Sequence, residues 1–225
     1  MLLDLLRGNH DMLQIIAGAF ASIFVVFCTL PIHEYAHAYV ATKLGDPTPK
    51  LSGRLTLNPM AHIDWIGALL ILLVGVGYAK PVNVNPRNFK NPKTGMALTA
   101  IAGPVSNLLM AAIFILLQNI ILVLPFENIF TVAFYIFLNF AAIINISLAV
   151  FNLLPIPPLD GSRIFQIFLP DKYYFKLLQY ERYIVLAVFL LIFLGVLNRP
   201  LAFLQSTIYN FLNFIIGLPF RLLAG

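Results

Sequence analysis

The chain has 225 residues, of which 60% are hydrophobic and only 10% charged, with a formal charge of +5. Soluble domains carry about 25% charged residues, so the composition excludes a soluble globular protein and predicts one that crosses a membrane several times. The basic residues lie in separate short loops between apolar runs, which fits membrane topology and argues against a nucleic-acid partner.

Asp4, Arg7 and Asp11 stand ahead of the first apolar stretch, and this start does not resemble a cleavable signal peptide. Met12 to Leu44 is apolar apart from a histidine-glutamate cluster and Lys43, and exceeds the roughly 20 residues a span needs. The single cysteine, Cys28, is expected to pack within this span. Ile66 to Tyr78 is short and holds Gly67, Gly75 and Gly77, so a re-entrant segment is expected there. Gly95–Leu124 and Asn128–Leu154 read as full spans joined by the Pro125-Phe126-Glu127 turn. Tyr183–Leu197 and Leu201–Leu218 read as a helical hairpin closed by Asn198-Arg199-Pro200. Lys50–Asn58 and Tyr78–Asn85 alternate in places and carry β-branched residues, which predicts small β-hairpin elements at the membrane surface.

The expected fold is therefore all-α and polytopic: about five transmembrane helices, a re-entrant segment and small β-hairpins near the cytoplasmic face. One integral membrane domain spans 1–225, with a core at about 12–161 and the C-terminal hairpin at about 181–222. If Ile66–Tyr78 re-enters, twelve of the fourteen Lys and Arg fall on one side and only Arg7 and Arg199 on the other. The positive-inside rule then puts the N-terminus outside and the C-terminus in the cytoplasm of a multi-pass plasma-membrane protein.

Within the first span stands His33-Glu34-Tyr35-Ala36-His37. Each ionisable side chain in hydrocarbon costs about 2.5–3.5 kcal/mol on insertion scales, so the cluster needs a reason. Histidines at i and i+4 share a helix face and can reach one ion. The glutamate beside them can serve as a general base toward water. The pattern predicts a zinc peptidase centre near the cytoplasmic end of the span.

A catalytic zinc takes three protein ligands. A third histidine six residues past His37 would fall on Lys43, and there is no downstream helical glutamate before Glu127. The candidates are His62, Asp64, Glu127, Asp160, Asp171, Glu181 and the N-terminal acids. Glu127 belongs to a turn on the far side. Asp171 and Glu181 have basic neighbours and read as solvated loop charges. Asp160 closes Asn152-Leu153-Leu154-Pro155-Ile156-Pro157-Pro158-Leu159-Asp160-Gly161, where three prolines unwind the chain. Irregular backbone at this depth must be buried in protein or line a wet cavity. The topology puts Asp160 level with His37, as the expected third ligand.

These motifs together resemble the site-2 protease family of intramembrane zinc metalloproteases. The likeness rests on the His-Glu-x-x-His span, on Ala102-Gly103-Pro104-Val105-Ser106-Asn107, and on the Asn152–Gly161 stretch. Arg54–Asp64 and Gly77–Pro86 resemble its small bacterial branch, which lacks PDZ and CBS domains. The resemblance implies that His33, His37 and Asp160 hold one Zn2+, that Glu34 is the catalytic base, and that Asn152 donates to the developing oxyanion. Asn107 could steady the site, with Gly103 and Pro104 serving close packing and a kink. Asn139 and Asn145 are expected in interhelical hydrogen bonds, and His62 in a structural role.

The implied substrate is another protein's transmembrane segment, with the bilayer as surroundings, no nucleic acid, and a separate protein as a possible regulator. Ala79–Val84 could pair with an unwound substrate by strand addition. The alternative is a metal or ion transporter using the same His/Glu/Asp cluster, which predicts polar residues through the full membrane thickness. Here they gather near one side.

Overall fold

A computed structural model describes residues 11–74, 79–124, 128–170, 172–173, 176 and 179–224. Asp4 and Arg7, the Pro125-Phe126-Glu127 turn, Gly77-Tyr78 and Asp171 lie outside the described residues. The described residues are helical or irregular, and none of them is in a strand.

The first rod begins with α1 (Met12–Phe24), passes through a π-helical turn at Val25–Thr29, and continues as α2 (Leu30–Lys43). Pro31 explains the wide turn: it has no N–H for the preceding carbonyls, and its ring displaces the one four residues back. Three short helices follow: α3 (Thr48–Leu51), α4 (Pro59–His62) and α5 (Trp65–Val74). Asp64 begins α5 by accepting from the N–H groups of Ile66 and Gly67, both at 3.0 Å. Residues 79–85 are irregular and lead to a 3-10 turn at Pro86–Asn88.

Two long helices carry the middle of the chain, α6 (Pro92–Leu122) and α7 (Ile129–Asn152). Asn91 caps the first through the Thr94 N–H. Asn128 and Thr131 form a reciprocal capping box on the second. After α7 the chain unwinds until α8 (Asp160–Phe165). The last described helices are α9 (Glu181–Phe193) and α10 (Asn198–Ala224).

Among the described residues, four segments are long and apolar enough to cross a membrane: Met12–Lys43, Pro92–Leu122, Ile129–Asn152 and Asn198–Arg221. The protein is thus an all-helical, multi-pass membrane protein. Within the stretch expected to span at Tyr183–Leu197, the helix α9 ends at Phe193. The turn before the last helix falls at Leu194–Leu197, where Gly195 takes φ +74°. Asn198-Arg199-Pro200 form the first turn of α10 rather than the loop expected, because proline fits a first helical turn.

The small β-hairpins expected at Lys50–Asn58 and Tyr78–Asn85 are absent among the described residues. Pro47 and Pro49 bring α3 into the first stretch. The second holds Pro81 and is followed by Pro86, neither with an N–H to give a ladder.

The core lies between α1, α6 and α7, where Ala21, Val25, Ala111, Ile115, Leu138, Ala141 and Ala142 are buried. The alanines let helix axes approach closely, which is how apolar helices associate when lipid tails compete equally for contact. Phe24 meets Phe114 and Phe137 edge-on, at 6.0 and 5.6 Å between ring centres. Polar contacts tie α10 to the bundle: Gln118 and Tyr209 both donate to Asn139 Oδ1, at 3.3 and 3.0 Å, and Asn119 donates to Asn213. Asn139 thus bonds between helices as expected. Asn145 does not: it is fully buried and donates to Ala141 of its own helix.

Candidate metal centre

His33 and His37 stand one turn apart on α2, and both are buried. Their rings meet nearly perpendicular, 4.7 Å between centres, with the two Nε2 atoms 3.0 Å apart. A carbonyl oxygen can only accept, so His37 Nδ1–H donates to the Thr99 carbonyl of α6 at 2.7 Å. That bond fixes the ring and leaves Nε2 with its lone pair toward His33. Sequence reasoning did not find Thr99, because a backbone carbonyl has no residue-type signal.

Asp160 opens α8 and completes the group. Its Oδ2 lies 3.2 Å from His37 Nε2 and 3.5 Å from His33 Nε2. The three ligand atoms all lie within 4.8 Å of one another. Two neutral imidazole lone pairs and a carboxylate this close repel unless positive charge lies between them. Two nitrogens and one oxygen form a donor set that suits zinc and leaves a coordination position open. The residues fit the metal.

Two glycines make the convergence possible. A Cβ at Gly103 would overlap His37 Nε2 and stand 2.6 Å from His33 Cε1. At Gly161 it would run into the carbonyl oxygens of Leu153 and Leu154. The glycine after Asp160 therefore lets the unwound chain fold back tightly enough to present the carboxylate.

The cluster opens into a cavity of about 540 Å3, lined also by Glu34, Val82, Asn152, Pro157, Leu159 and Arg163. Glu34 is buried, and its carboxylate makes no hydrogen bond among the described residues. Asn152 donates through Nδ2 to Leu148 of its own helix at 3.0 Å, which leaves one amide N–H for other use. Asn107 is fully buried with both amide atoms unpartnered among the described residues.

His62 stands apart from the cluster: Nε2 pairs with the Thr56 carbonyl at 2.8 Å, which agrees with a structural role. Asp64 is occupied as a helix cap. Asp46 was not singled out in the sequence. It is fully buried, and its carboxylate accepts hydrogen bonds from Thr48, Asn85 and Asn88.

A bundle of membrane helices around two buried histidines and a half-buried aspartate, beside a glutamate, is the arrangement of a membrane metallopeptidase. The model of Peptidase family M50 matches residues 117–197. YwhC of Bacillus subtilis, described as a zinc metalloprotease, is 43% identical over 173 residues, covering 76% of this chain and 78% of that protein. Rip2 of Mycolicibacterium smegmatis, described likewise, is 28% identical over 138 residues, 59% of this chain and 51% of its own. Rip2 of Mycobacterium tuberculosis is 29% identical over 153 residues, 64% and 57% of the two chains. No solved structure matches this chain.

The chain belongs to peptidase family M50, the site-2 protease family of intramembrane zinc metalloproteases whose motifs it carries. It is a metallopeptidase, and nothing in these comparisons supports the transporter alternative.

Proposed function

We propose that this chain hydrolyses a peptide bond in, or beside, a transmembrane segment of another membrane protein. His33, His37 and Asp160 hold the zinc, and Glu34 is the base. The observation that carries this reading is the approach of Asp160 Oδ2 to both imidazoles, from a helix 123 residues beyond His37 in the chain. When bound, zinc polarises the scissile carbonyl and acidifies water.

The protein's own groups do the rest. Thr99 holds His37 in one tautomer. Glu34, facing the cavity, takes a proton from water and returns it to the leaving amine. Asn152 offers its remaining N–H to the oxygen on which charge develops. Ala79, Pro81, Val82 and Val84 line the same cavity, and there an unwound substrate segment docks along their main chain.

The residues from 12 to 161 form the catalytic core of a single membrane domain, with the C-terminal hairpin at 181–222 beside it. Re-entry of Ile66–Tyr78 rather than crossing is supported by the charge pattern, since it keeps twelve of the fourteen Lys and Arg on one side. With Tyr183–Leu197 as a fifth span, the N-terminus is outside, the C-terminus is cytoplasmic and the centre lies toward the cytoplasmic side of the plasma membrane.

Metal analysis combined with cleavage in proteoliposomes tests the assignment. Glu34→Gln should retain one zinc per chain and lose turnover, whereas His33→Ala should lose the metal as well. Wild-type cleavage by Glu34→Gln would refute the base.

A further inference from the structure

The irregular segment 79–85 is tied at its two ends by unlike bonds. The Lys80 N–H donates to the His62 carbonyl at 2.8 Å. The Asn85 N–H donates to Asp46 Oδ2 at 2.7 Å. Between these ties, residues 81–84 make no hydrogen bond among the described residues. Pro81 has no N–H to give, so Val82, Asn83 and Val84 carry the free donors. Val82 is nonetheless buried, and with Val84 it lines the cavity that holds the His-His-Asp group.

Both anchors come from the stretch between α2 and α5, Asp46 from the loop after α2 and His62 from the end of α4. Asp46 Oδ1 accepts from Thr48 N–H at 3.1 Å, from Thr48 Oγ1 at 2.6 Å and from Asn88 Nδ2 at 2.6 Å. The contacts with Thr48 are those of an ordinary Asx turn. The contact with Asn85, 39 residues further on, is not needed for a turn. His62, the other anchor, is itself fixed through Thr56, and the Arg54 guanidinium donates to the neighbouring Ala61 carbonyl. Neither Asp46 nor His62 lines the cavity.

We propose that Asp46 is a positioning residue for peptide substrates: with the His62 carbonyl it holds residues 80–85 as a taut edge beside the metal ligands, onto which an extended peptide docks through main-chain hydrogen bonds. The proposal rests on the docking role given above to Ala79–Val84. A free edge is useful only if it stays extended, since ordering it at each encounter would cost about 1–2 kcal/mol per residue in backbone entropy. Burial raises the Asp46 carboxyl, but the hydrogen bonds from Thr48, Asn88 and Asn85 outweigh this and hold it below its ordinary value, so the anchor is charged at neutral pH.

Asp46→Asn isolates the contact. Its carbonyl can still accept from Thr48 and Asn88, while its amide group then faces the Asn85 N–H, donor against donor. Two probes are titrated against the zinc-loaded full chain: acetohydroxamate, which reaches only the metal, and a leucine tripeptide hydroxamate, which also extends along the edge. Hydrogen exchange is followed at the Asn85 amide. Asp46→Asn, and Asp46→Ala beside it, should keep full zinc content and unchanged acetohydroxamate binding. Exchange at Asn85 should quicken about tenfold or more, and the tripeptide hydroxamate should bind about tenfold more weakly, as loss of one or two hydrogen bonds would give.

Unchanged exchange at Asn85, or faster exchange with undiminished tripeptide binding, would overturn the positioning role. Loss of zinc in both variants would overturn it too, by showing that Asp46 supports the whole fold. Should the unaltered protein bind the tripeptide no better than acetohydroxamate, the docking role of Ala79–Val84 itself fails, and that outcome is distinct from the others.

Discussion

Gly103 of α6 lies against the imidazole of His37, so closely that a single added Cβ would overlap Nε2. The two imidazoles on α2 are therefore positioned by a residue on another helix that has no side chain to offer. Gly103→Ala should turn both rings away from Asp160. Overpacking of a tight core costs about 1–3 kcal/mol, so the chain should still fold while zinc binds at least tenfold more weakly. Zinc per chain after equilibrium dialysis, read beside a thermal melt, checks this. Full stoichiometry would show that the rings have room the geometry denies.

Asp160→Asn keeps the shape of the side chain but removes its charge. If the carboxylate is the third ligand, zinc content should fall sharply while helical content by circular dichroism stays the same. Retention of zinc at the unaltered affinity would remove Asp160 from the ligand set.

Asn152→Leu separates transition-state stabilisation from binding. Removing one oxyanion donor costs about 10²–10³ in kcat, so the expected result is a fall of that order with KM nearly constant and zinc retained. Since Asn152 also donates to Leu148 within α7, a purely helical role would instead lower stability and leave kcat within a few-fold.

Val82→Pro deletes one free N–H from the middle of the segment 79–85 and leaves both of its anchors in place. Cleavage of a transmembrane substrate should be abolished with zinc content intact. Full cleavage by this variant would remove the docking role of the segment.

Acid should loosen the Asp46 anchor. Its carboxyl is held below the ordinary value of 3.8 in the folded protein. Its contribution to stability is therefore fully present above about pH 4 and is lost as pH falls through the folded value. Asp46→Asn should destabilise the loop near neutrality and remove that part of the acid sensitivity. Hydrogen exchange at Asn85 from pH 7 to pH 3, corrected for intrinsic rates, measures it. Equal acid sensitivity in the two proteins would place the titrating group elsewhere.

The grouping of His33, His37 and Asp160 was legible because each rests on a local rule. The i, i+4 spacing puts two histidines on one face, and prolines force the break that frees Asp160. The long apolar helices were legible for the same reason. What escaped was set by contacts between distant parts of the chain. Thr99 acts through its backbone, and Asp46 looked like an ordinary loop acid because its partner is 39 residues away. Alternating β-branched residues suggested hairpins, but Pro81 and Pro86 leave that stretch irregular and without a ladder. Asn145 satisfies its amide within its own helix, an option that composition alone cannot separate from a bond across helices.

The five-residue π-helical turn at Val25–Thr29 gives the first rod two independently phased halves. α1 is set by its fit against α7, while the direction of the histidines is set after the wide turn. One residue is worth about 100° of rotation. Deleting a residue from this turn would therefore swing His33 and His37 out of the interior without shortening the rod appreciably, whereas replacing apolar residues of α1 by others of similar volume would leave their bearing unaltered. Sequence drift in α1 is in this way mechanically insulated from the chemistry carried by α2.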